Sequence, residues 1–380
     1  MSSGYDVVVV GGGLVGTSLA YELACRGATV ALVDRRDPGR ASDAGAGILS
    51  PETTWRTDDV WVPFAAEAGS HVATLAARLA EEGAPDPGYA RTGLFTVSLE
   101  EGDEPWFDDL AAHARARAPG VVGEIPPDEA RQAVPVLGRL RRVLHNPAAA
   151  RIDGRVVTAA LRHACQARGI ALVDGDVTGL VTAGDRVTAV TTAEGTLAVG
   201  AVAVAGGAWS AALGERLGAP LPIRPVKGQI VHLKVDDPGL DPAAWPIVQP
   251  VLGHYLVPWP DRRVACGGTF EDQGFDPRPT TGGTHELLRE CLKLAPGLDG
   301  ASLVEVRVGF RPFAADDLPV LGAIHPWENA FADTGHGADG LLAGPYSGAV
   351  VAAAVLGEEP SLTEVARRAL RTFSPARFAR

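Results

Sequence analysis

Uninterrupted apolar segments, rather than alternating ones, mark the start of the chain. Tyr5–Val10 ends in four consecutive valines, which is typical of a strand buried on both faces of a parallel sheet. Helix-forming residues occupy 17–26 and stop at Gly27, and residues 29–33 form a second apolar run. This order of strand, helix and strand predicts an α/β unit.

Helical and strand-like patterns both continue along the rest of the chain. Helical periodicity predicts helices at residues 64–82, 126–133, 156–168 and 284–295, and a glycine–helix segment at 335–356. Strand-like runs fall at residues 92–99, 170–173, 187–192, 196–199, 201–205, 228–233, 254–257 and 263–266. Residues 41–51, which are rich in small side chains, are predicted to form a loop.

The strands beyond residue 219 predict a second, mostly antiparallel sheet, and no linker separates it from the first unit. We therefore expect an α/β (α+β) fold with a discontinuous Rossmann-like domain and a second domain inserted into it. The Rossmann-like domain would comprise residues 1–85, 145–218 and 305–365, and the inserted domain residues 86–144 and 219–304.

A glycine pattern directly follows the first strand. Gly11, Gly13 and Gly16 supply G-x-G-x-x-G, which permits a tight turn, approach of backbone to a pyrophosphate and close helix–strand packing. The helix start offers N–H groups to the phosphates. Asp34 lies where a carboxylate can accept hydrogen bonds from ribose hydroxyls. The combination predicts dinucleotide binding over an unrelated glycine turn, but it does not separate FAD from NAD.

Composition narrows the classes of partner. A net charge of -12 and a pI near 5.2 argue against nucleic acid or an anionic membrane. The four cysteines form no CxxC pair, so we expect small buried side chains, no metal site and a reducing cytoplasm. No apolar run approaches the length of a membrane span. The oligomeric state stays open, a homo-oligomer included.

Short sequence blocks extend the pattern over nearly the whole chain. After the N-terminal unit and residues 41–51 they are G-D-V at 175–177, A-G-G-A-W-S at 205–210, P-V-K-G-Q at 225–229, Y-L-V-P at 255–258, G-F-R-P at 309–312, D-L-P-V-L-G at 317–322 and T-G-H-G at 334–337. With these blocks the chain resembles the D-amino-acid-oxidase superfamily of flavoproteins, most closely its glycine oxidase and sarcosine oxidase branch. The resemblance implies FAD, so the two domains would bind FAD and substrate respectively.

The resemblance also implies which residues contact FAD. Leu14 and Val15 would lie in the pyrophosphate turn, Asp34 and Arg35 at the adenosine ribose, and the Val177 backbone at the adenine. The flavin would have a wall of small residues on one side and a loop and helix start beneath its pyrimidine end, where a helix N-terminus stabilises negative charge. The wall comprises Ala41, Ser42, Ala46, Gly47 and Ile48; the loop comprises His336, Gly337, Ala338, Asp339, Gly340 and Leu341; Gly207 and Trp209 complete the implied cofactor site.

Simpler interpretations exist for several of these positions. Val177 could be an ordinary strand residue, and His336 a structural histidine in a turn. The small residues of the wall could serve close packing rather than chemistry.

Three residues are implied for the substrate. Arg311 aligns with the arginine that holds the substrate carboxylate in glycine oxidase, and its planar fork suits a bidentate grip. The alternative for Arg311 is a structural ion pair with Asp316 or Asp317. Tyr255 corresponds to a pocket tyrosine whose hydroxyl assists the carboxylate, the alternative being a core aromatic. Phe270 would shape the pocket, or equally lie in the core.

The implied reaction is hydride transfer from the substrate Cα to flavin N5, which gives an imine that water hydrolyses. Molecular oxygen would then reoxidise the flavin and yield hydrogen peroxide. This chain departs from the family at three positions. Ala338 replaces a basic residue near the carboxylate, Gly309 stands where sarcosine oxidases attach flavin through cysteine, and Ala265 replaces a lysine that faces oxygen. Because Gly309 offers no cysteine for attachment, binding of FAD should be non-covalent.

A carboxylate anchor without a second cation, together with apolar Ile48 and Phe270, predicts a substrate larger than glycine. We expect an N-substituted glycine, cleaved to an amine and glyoxylate. The strongest alternative is a flavin dehydrogenase that acts on an amino or hydroxy acid and passes electrons to a quinone or protein acceptor. A flavoprotein without turnover and a nicotinamide dehydrogenase are further alternatives.

Overall fold

Three β-sheets organise the computed structural model, which describes residues 4–379. In chain order their strands are β1 (Tyr5–Val10), β2 (Val30–Asp34), β3 (Ile48–Leu49), β4 (Tyr89–Arg91), β5 (Leu94–Ser98), β6 (Gly123–Ile125), β7 (Arg142–Asn146), β8 (Ala150–Ile152), β9 (Ala171–Asp174), β10 (Gly179–Ala183), β11 (Arg186–Thr192), β12 (Gly195–Val204), β13 (Ile223–Lys234), β14 (Ile247–Pro250), β15 (Tyr255–Pro258), β16 (Arg263–Gly267), β17 (Ser302–Ala314), β18 (Val320–Ala323) and β19 (Ala330–Thr334).

The α-helices lie between these strands. They are α1 (Leu14–Cys25), α2 (Ala41–Ala44), α3 (Trp61–Glu81), α4 (Glu104–Arg117), α5 (Pro127–Ala133), α6 (Gly154–Ala167), α7 (Ser210–Arg216), α8 (Thr281–Leu294), α9 (Gly340–Val355) and α10 (Glu364–Thr372). None of these described helices is both long and apolar enough to cross a membrane.

The first sheet contains the predicted α/β unit. Its strand order is β10-β11-β12-β1-β2-β9, with β19 beside β12 and β18 beside β19. The valines of β1 divide between its two faces: Val7 and Val9 belong to one hydrophobic cluster, and Val8 and Val10 to another. Burial on both faces explains why this strand is apolar without alternation.

The interpretation of residues 196–199 and 201–205 as two strands is wrong. One strand, β12, runs through both segments. Its first half pairs antiparallel with β11, and its second half pairs parallel with β1 and β19. The alternating half is partly exposed and the continuous half buried, so the change of pattern marks a change of environment rather than a break.

The second sheet is mostly antiparallel, with the order β17-β13-β16-β15-β14-β5-β7-β6. The long β13–β17 ladder forms one end of this sheet, and β17 also contacts helix α2. Two of its strands, β7 and β17, cross the boundaries predicted at residues 145 and 305. The division into domains otherwise stays a prediction.

Residues 41–51 are not the plain loop that we predicted. They form the short helix α2, the strand β3 and a 3-10 turn that starts at Pro51. β3 pairs with β8 and β8 with β4, which makes the small third sheet. Small side chains here serve tight packing: a Cβ on Gly47 would fall 2.0 Å from the Ile152 carbonyl oxygen, and φ at Gly47 is +78°.

Candidate functional site

A cavity of about 570 Å³ opens at the carboxyl ends of β1, β2, β12 and β19 and extends to β13, β15 and β17 of the second sheet. Ligands of open α/β sheets bind at such strand ends. Every site residue predicted from the sequence lines this cavity except Gly16.

The glycine turn is shaped by close backbone contacts. A Cβ on Gly16 would fall 1.9 Å from the Gly11 carbonyl oxygen, so Gly16 packs α1 against the turn rather than lining the cavity. Gly11 has φ of +115°, and its Cβ would meet the Ala205 carbonyl oxygen at 2.3 Å. Glycine is the residue that tolerates both constraints.

The start of α1 is prepared for an anion. Gly13 is its N-cap, no acidic residue lies in the first turn, and Leu14 N–H donates to Ser42 Oγ at 2.9 Å. Val15, the next residue, also lines the cavity. The free N–H groups and the glycine cradle fit a dinucleotide pyrophosphate.

The far end of the cavity carries paired charges. Asp34 is buried at 6% exposure, and its carboxylate lies 3.1 Å from Arg40 Nη1. Arg35 bridges Asp37 and Asp176 instead of reaching Asp34. The Val177 backbone carbonyl accepts a hydrogen bond from Arg216, and its side chain is buried. Val177 therefore combines a strand-like packing role with a backbone that lines the cavity.

The middle of the cavity has a smooth wall built by α2 and β3. Ala41 and Ser42 lie on α2, and Ala46, Gly47 and Ile48 follow. Gly207 and Trp209 line it as well, and Trp209 stacks on Phe275 with ring centroids 5.1 Å apart. Short side chains leave room for a flat ring system.

The loop before α9 supplies buried polar groups. The residues from His336 to Leu341 line the cavity, and Asp339 is the N-cap of α9. Nε2 of His336 lies 2.8 Å from Ser347 Oγ, and burial lowers the pKa of His336 to about 4. A neutral, buried imidazole supports the structural interpretation of His336. Burial also raises the pKa of Asp339, whose carboxylate faces Arg56.

Asp333, at the end of β19, is a buried acid that sequence reasoning missed. Its side chain is fully buried, and neither carboxyl oxygen has a hydrogen-bond partner among residues 4–379. His336 Nε2 is 3.4 Å from its Oδ1. Burial raises the pKa of Asp333 to about 8, so it is largely protonated at neutral pH. An orphaned acid in the cavity lining fits a site completed by a bound cofactor.

Arg311 lies across a glycine on the neighbouring strand. A Cβ on Gly228 would fall 2.4 Å from Arg311 Nη1, so the guanidinium occupies the space above β13. Nη1 donates to the Thr269 carbonyl oxygen at 2.8 Å. The predicted alternative, an ion pair with Asp316 or Asp317, is wrong: Asp316 pairs with Arg377, and no carboxylate within residues 4–379 pairs with Arg311. Burial lowers the Arg311 pKa, but a guanidinium stays cationic.

Tyr255 and Phe270 flank this arginine. The Tyr255 hydroxyl lies near the backbone of Gly267, where a Cβ would approach it to 2.9 Å. Burial raises the Tyr255 pKa, so its hydroxyl is a donor at neutral pH. The Phe270 ring covers the Arg311 guanidinium at 4.1 Å and is 65% exposed. The interpretation of Phe270 as a core residue is wrong.

The three departures from the family pattern have structural counterparts. Gly309 packs on α2, where a Cβ would meet Ala44 Cβ at 2.9 Å. Ala265 is buried in an apolar cluster with Ile230, beside Ile48. Arg56, which sequence reasoning missed, reaches the loop next to Ala338, with Nε 3.4 Å from Asp339. Because Asp339 compensates its charge, Arg56 does not replace the missing free cation.

Other residues of the lining carried only weak signals in the sequence. Gly228 lies within the P-V-K-G-Q block, but nothing local indicated that Arg311 would cross it. The remaining missed residues include Trp55, Arg216, Gln249 and Gly268.

All four cysteines are free, and none lines the cavity. Cys165, Cys266 and Cys291 are buried, as predicted, but Cys25 is only half-buried, contrary to the prediction.

Comparison with known proteins gives a consistent result. The family model for FAD dependent oxidoreductases (DAO) matches residues 6–354. The uncharacterized oxidoreductase YurR of Bacillus subtilis (strain 168) is 36% identical over 93% of this chain and 96% of its own. A glycine oxidase of Pseudomonas putida is 32% identical, covering 93% and 95%. The crystal structure of iminodiacetate oxidase (IdaA) from Chelativorans sp. BNC1 superposes with a TM-score of 0.90 at 33% identity, covering 97% and 98%.

Proposed function

The chain belongs to the DAO family of FAD-dependent oxidoreductases, and on this basis we propose that it oxidises an N-substituted glycine, with glycine itself as a smaller substrate. FAD is its cofactor, and the resemblance inferred from the sequence blocks is confirmed. The substrate class is the part that we propose. It would be a secondary amine with a carboxymethyl group, cleaved to a primary amine and glyoxylate.

The observation that carries the proposal is the position of Arg311. One N–H of its guanidinium donates a hydrogen bond to the Thr269 carbonyl oxygen. The guanidinium faces the cavity that Tyr255 also lines. A bidentate arginine and a tyrosine hydroxyl are donors that suit a carboxylate. Ile48 and Phe270 in the same lining supply apolar surface for an N-substituent.

The relatives support this substrate class by the chemistry of their substrates. Glycine oxidases act on an amine that bears a carboxymethyl group, and iminodiacetate is a secondary amine that bears two. Both substrates carry a carboxylate and, next to it, a carbon whose C–H bond can be oxidised. An N-substituted glycine shares these two features.

The protein's own part in the reaction is positioning. Bound FAD supplies the acceptor for the hydride that leaves the substrate Cα. Arg311 and Tyr255 hold the carboxylate and thereby fix the Cα. The charge of Arg311 disfavours an ammonium ion beside it, so the amine binds in its neutral form and no side-chain base is needed. Oxygen and water complete the reaction: secondary amine, O2 and H2O give primary amine, glyoxylate and H2O2.

The test is a substrate panel with the purified holoenzyme. Peroxide, glyoxylate and the released amine are measured for glycine, for N-alkyl and N-carboxymethyl glycines and for D-amino acids. We expect larger kcat/KM for the N-substituted glycines, a rise of kcat/KM with pH as the amine loses its proton, and loss of activity in Arg311→Met. Turnover of D-amino acids without turnover of N-substituted glycines would refute the proposal. Dye reduction without oxygen consumption would instead establish a dehydrogenase.

A further inference from the structure

A buried polar network lies directly behind the carboxylate anchor. The segment Thr269, Phe270 and Glu271 follows β16 and runs beside β13. Through its first two residues this segment touches Arg311: Thr269 accepts the hydrogen bond from Nη1, and Phe270 covers the guanidinium. Residues that hold this segment in place therefore also hold the Arg311 guanidinium in place.

Two side chains of β13 hold the segment in place. Lys227 is fully buried, and its Nζ donates to the Arg278 carbonyl at 2.8 Å and lies 3.8 Å from Glu271 Oε2. Gln229, also fully buried, donates from Nε2 to Glu271 Oε1 at 2.7 Å. The backbones of Lys227 and Glu271 also exchange both of their hydrogen bonds. The segment is thus attached by backbone and by charge.

Glu271 also faces the anchor electrostatically. Thr269 links the two groups: its hydroxyl donates to Glu271 Oε1 at 2.5 Å, and its carbonyl oxygen accepts from Arg311 Nη1 at 2.8 Å. An uncompensated carboxylate two residues from the Thr269 carbonyl would compete with a substrate carboxylate for the same guanidinium. Lys227 neutralises it from the other side, and because Lys227 is buried, solvent screens this pairing little.

We propose that Lys227 and Glu271 are positioning residues that set the affinity of Arg311 for carboxylates. Lys227 holds Glu271, and with it Thr269 and Phe270, in the arrangement that orients the Arg311 guanidinium. Lys227 also neutralises the negative charge of Glu271, which would otherwise pair with Arg311. The inference rests on the proposed function only in taking Arg311 as the carboxylate site.

The experiment measures binding of acetate, which presents a carboxylate and no oxidisable amine, to the holoenzyme by titration calorimetry. In Lys227→Met an uncompensated Glu271 faces Arg311, and we expect the acetate Kd to rise about tenfold or more. In Glu271→Gln the amide oxygen still accepts from Gln229 while the competing charge is gone, so acetate should bind at least as tightly as in the wild type. The double variant should recover most of the loss.

Two controls separate positioning from folding. Lys293→Met removes another lysine–glutamate pair, with Glu100, on the exposed surface outside the cavity, and should leave acetate binding unchanged. Lys227→Arg keeps the charge and should retain most of the affinity. Recovery in the double variant is an outcome that a merely structural role does not produce.

Three results would overturn the inference. They are wild-type acetate affinity in Lys227→Met, a double variant no better than that single variant, or weaker binding in Glu271→Gln. Should Lys227→Met fail to fold, Lys227→Gln takes its place, with the same expectations for the single and the double variant. Because acetate is not a substrate, these outcomes are independent of whether N-substituted glycines are oxidised.

Discussion

Gly228→Ala changes the geometry of Arg311 without removing its charge. The added Cβ would lie 2.4 Å from Nη1 and 2.6 Å from both Cζ and Nη2. The β13 backbone is held in a long ladder with β17, so the arginine side chain has to move instead of the strand. In its new position the guanidinium can no longer donate to the Thr269 carbonyl oxygen, which accepts from Nη1 at 2.8 Å in the unsubstituted protein.

The expected loss follows from the hydrogen bonds involved. A hydrogen bond to a charged group contributes roughly 1.5–3 kcal/mol, and losing one to the substrate carboxylate weakens binding about tenfold to a hundredfold. The effect should fall on KM and on the acetate Kd. Affinity for FAD should be unchanged. The clash falls on the far end of a flexible side chain, so the thermal midpoint should change little.

The assay combines steady-state kinetics with acetate titration. Gly282→Ala is the matched control, because a Cβ at that position in α8 meets no atom within 4 Å. In an Arg311→Met background the Gly228→Ala change should add nothing further. An unchanged KM in Gly228→Ala, or an equal loss in the control, would refute this account of the anchor.

Three further predictions concern other parts of the cavity. Asp34→Asn should weaken FAD binding about tenfold in a titration of apoprotein, since roughly 1–2 kcal/mol of charged hydrogen bonding to the ribose is lost; Asp37→Asn should not. Phe270→Ala should raise KM about two- to fivefold with no change in thermal midpoint, because its ring is exposed and a cation–π contact with Arg311 contributes roughly 0.5–1 kcal/mol there. Asp333 has a pKa raised from 3.8 to about 8, so the folded state holds its proton more tightly than the unfolded state does. The free energy of unfolding should therefore fall as pH rises through that range, by up to ~1.4 kcal/mol per pH unit, and denaturant titrations at several pH values should show a flatter dependence for Asp333→Asn.

The sequence predicted the surroundings of the glycine turn better than the surroundings of Arg311, and the reason is physical. The turn at Gly11, the start of α1 and Asp34 belong to one short segment, in which local backbone geometry dictates the glycines. The environment of Arg311 depends on Gly228 of β13 and on Thr269 and Phe270, which follow β16. These segments are far apart in sequence and meet Arg311 of β17 only through sheet register. Neither periodicity nor composition reports which residues face one another across a sheet.

Buried charge was the other feature that the sequence could not reveal. Asp333 directly precedes the T-G-H-G block, and Lys227 lies inside the P-V-K-G-Q block, but neither position carries a local pattern that indicates burial. Whether such a residue is exposed, paired or orphaned depends on which elements pack over it. Only the fold shows that Lys227 faces Glu271 and that the Asp333 oxygens have no hydrogen-bond partner among the described residues.

One strand connects the proposed flavin wall with the proposed carboxylate anchor. Gly309, Arg311 and Phe313 alternate along β17, so their side chains share a face at spacings of about 6.6 Å per pair. Gly309 abuts α2, Arg311 faces the cavity, and the Phe313 ring lies where a Cβ on Gly337 would meet it at 3.0 Å. The distance from α2 to Arg311 is therefore set by strand geometry and not by a loop. With Arg311 as the proposed carboxylate anchor, we expect substrates of different size to differ in the space they occupy at the exposed side of the cavity, where Phe270 lies.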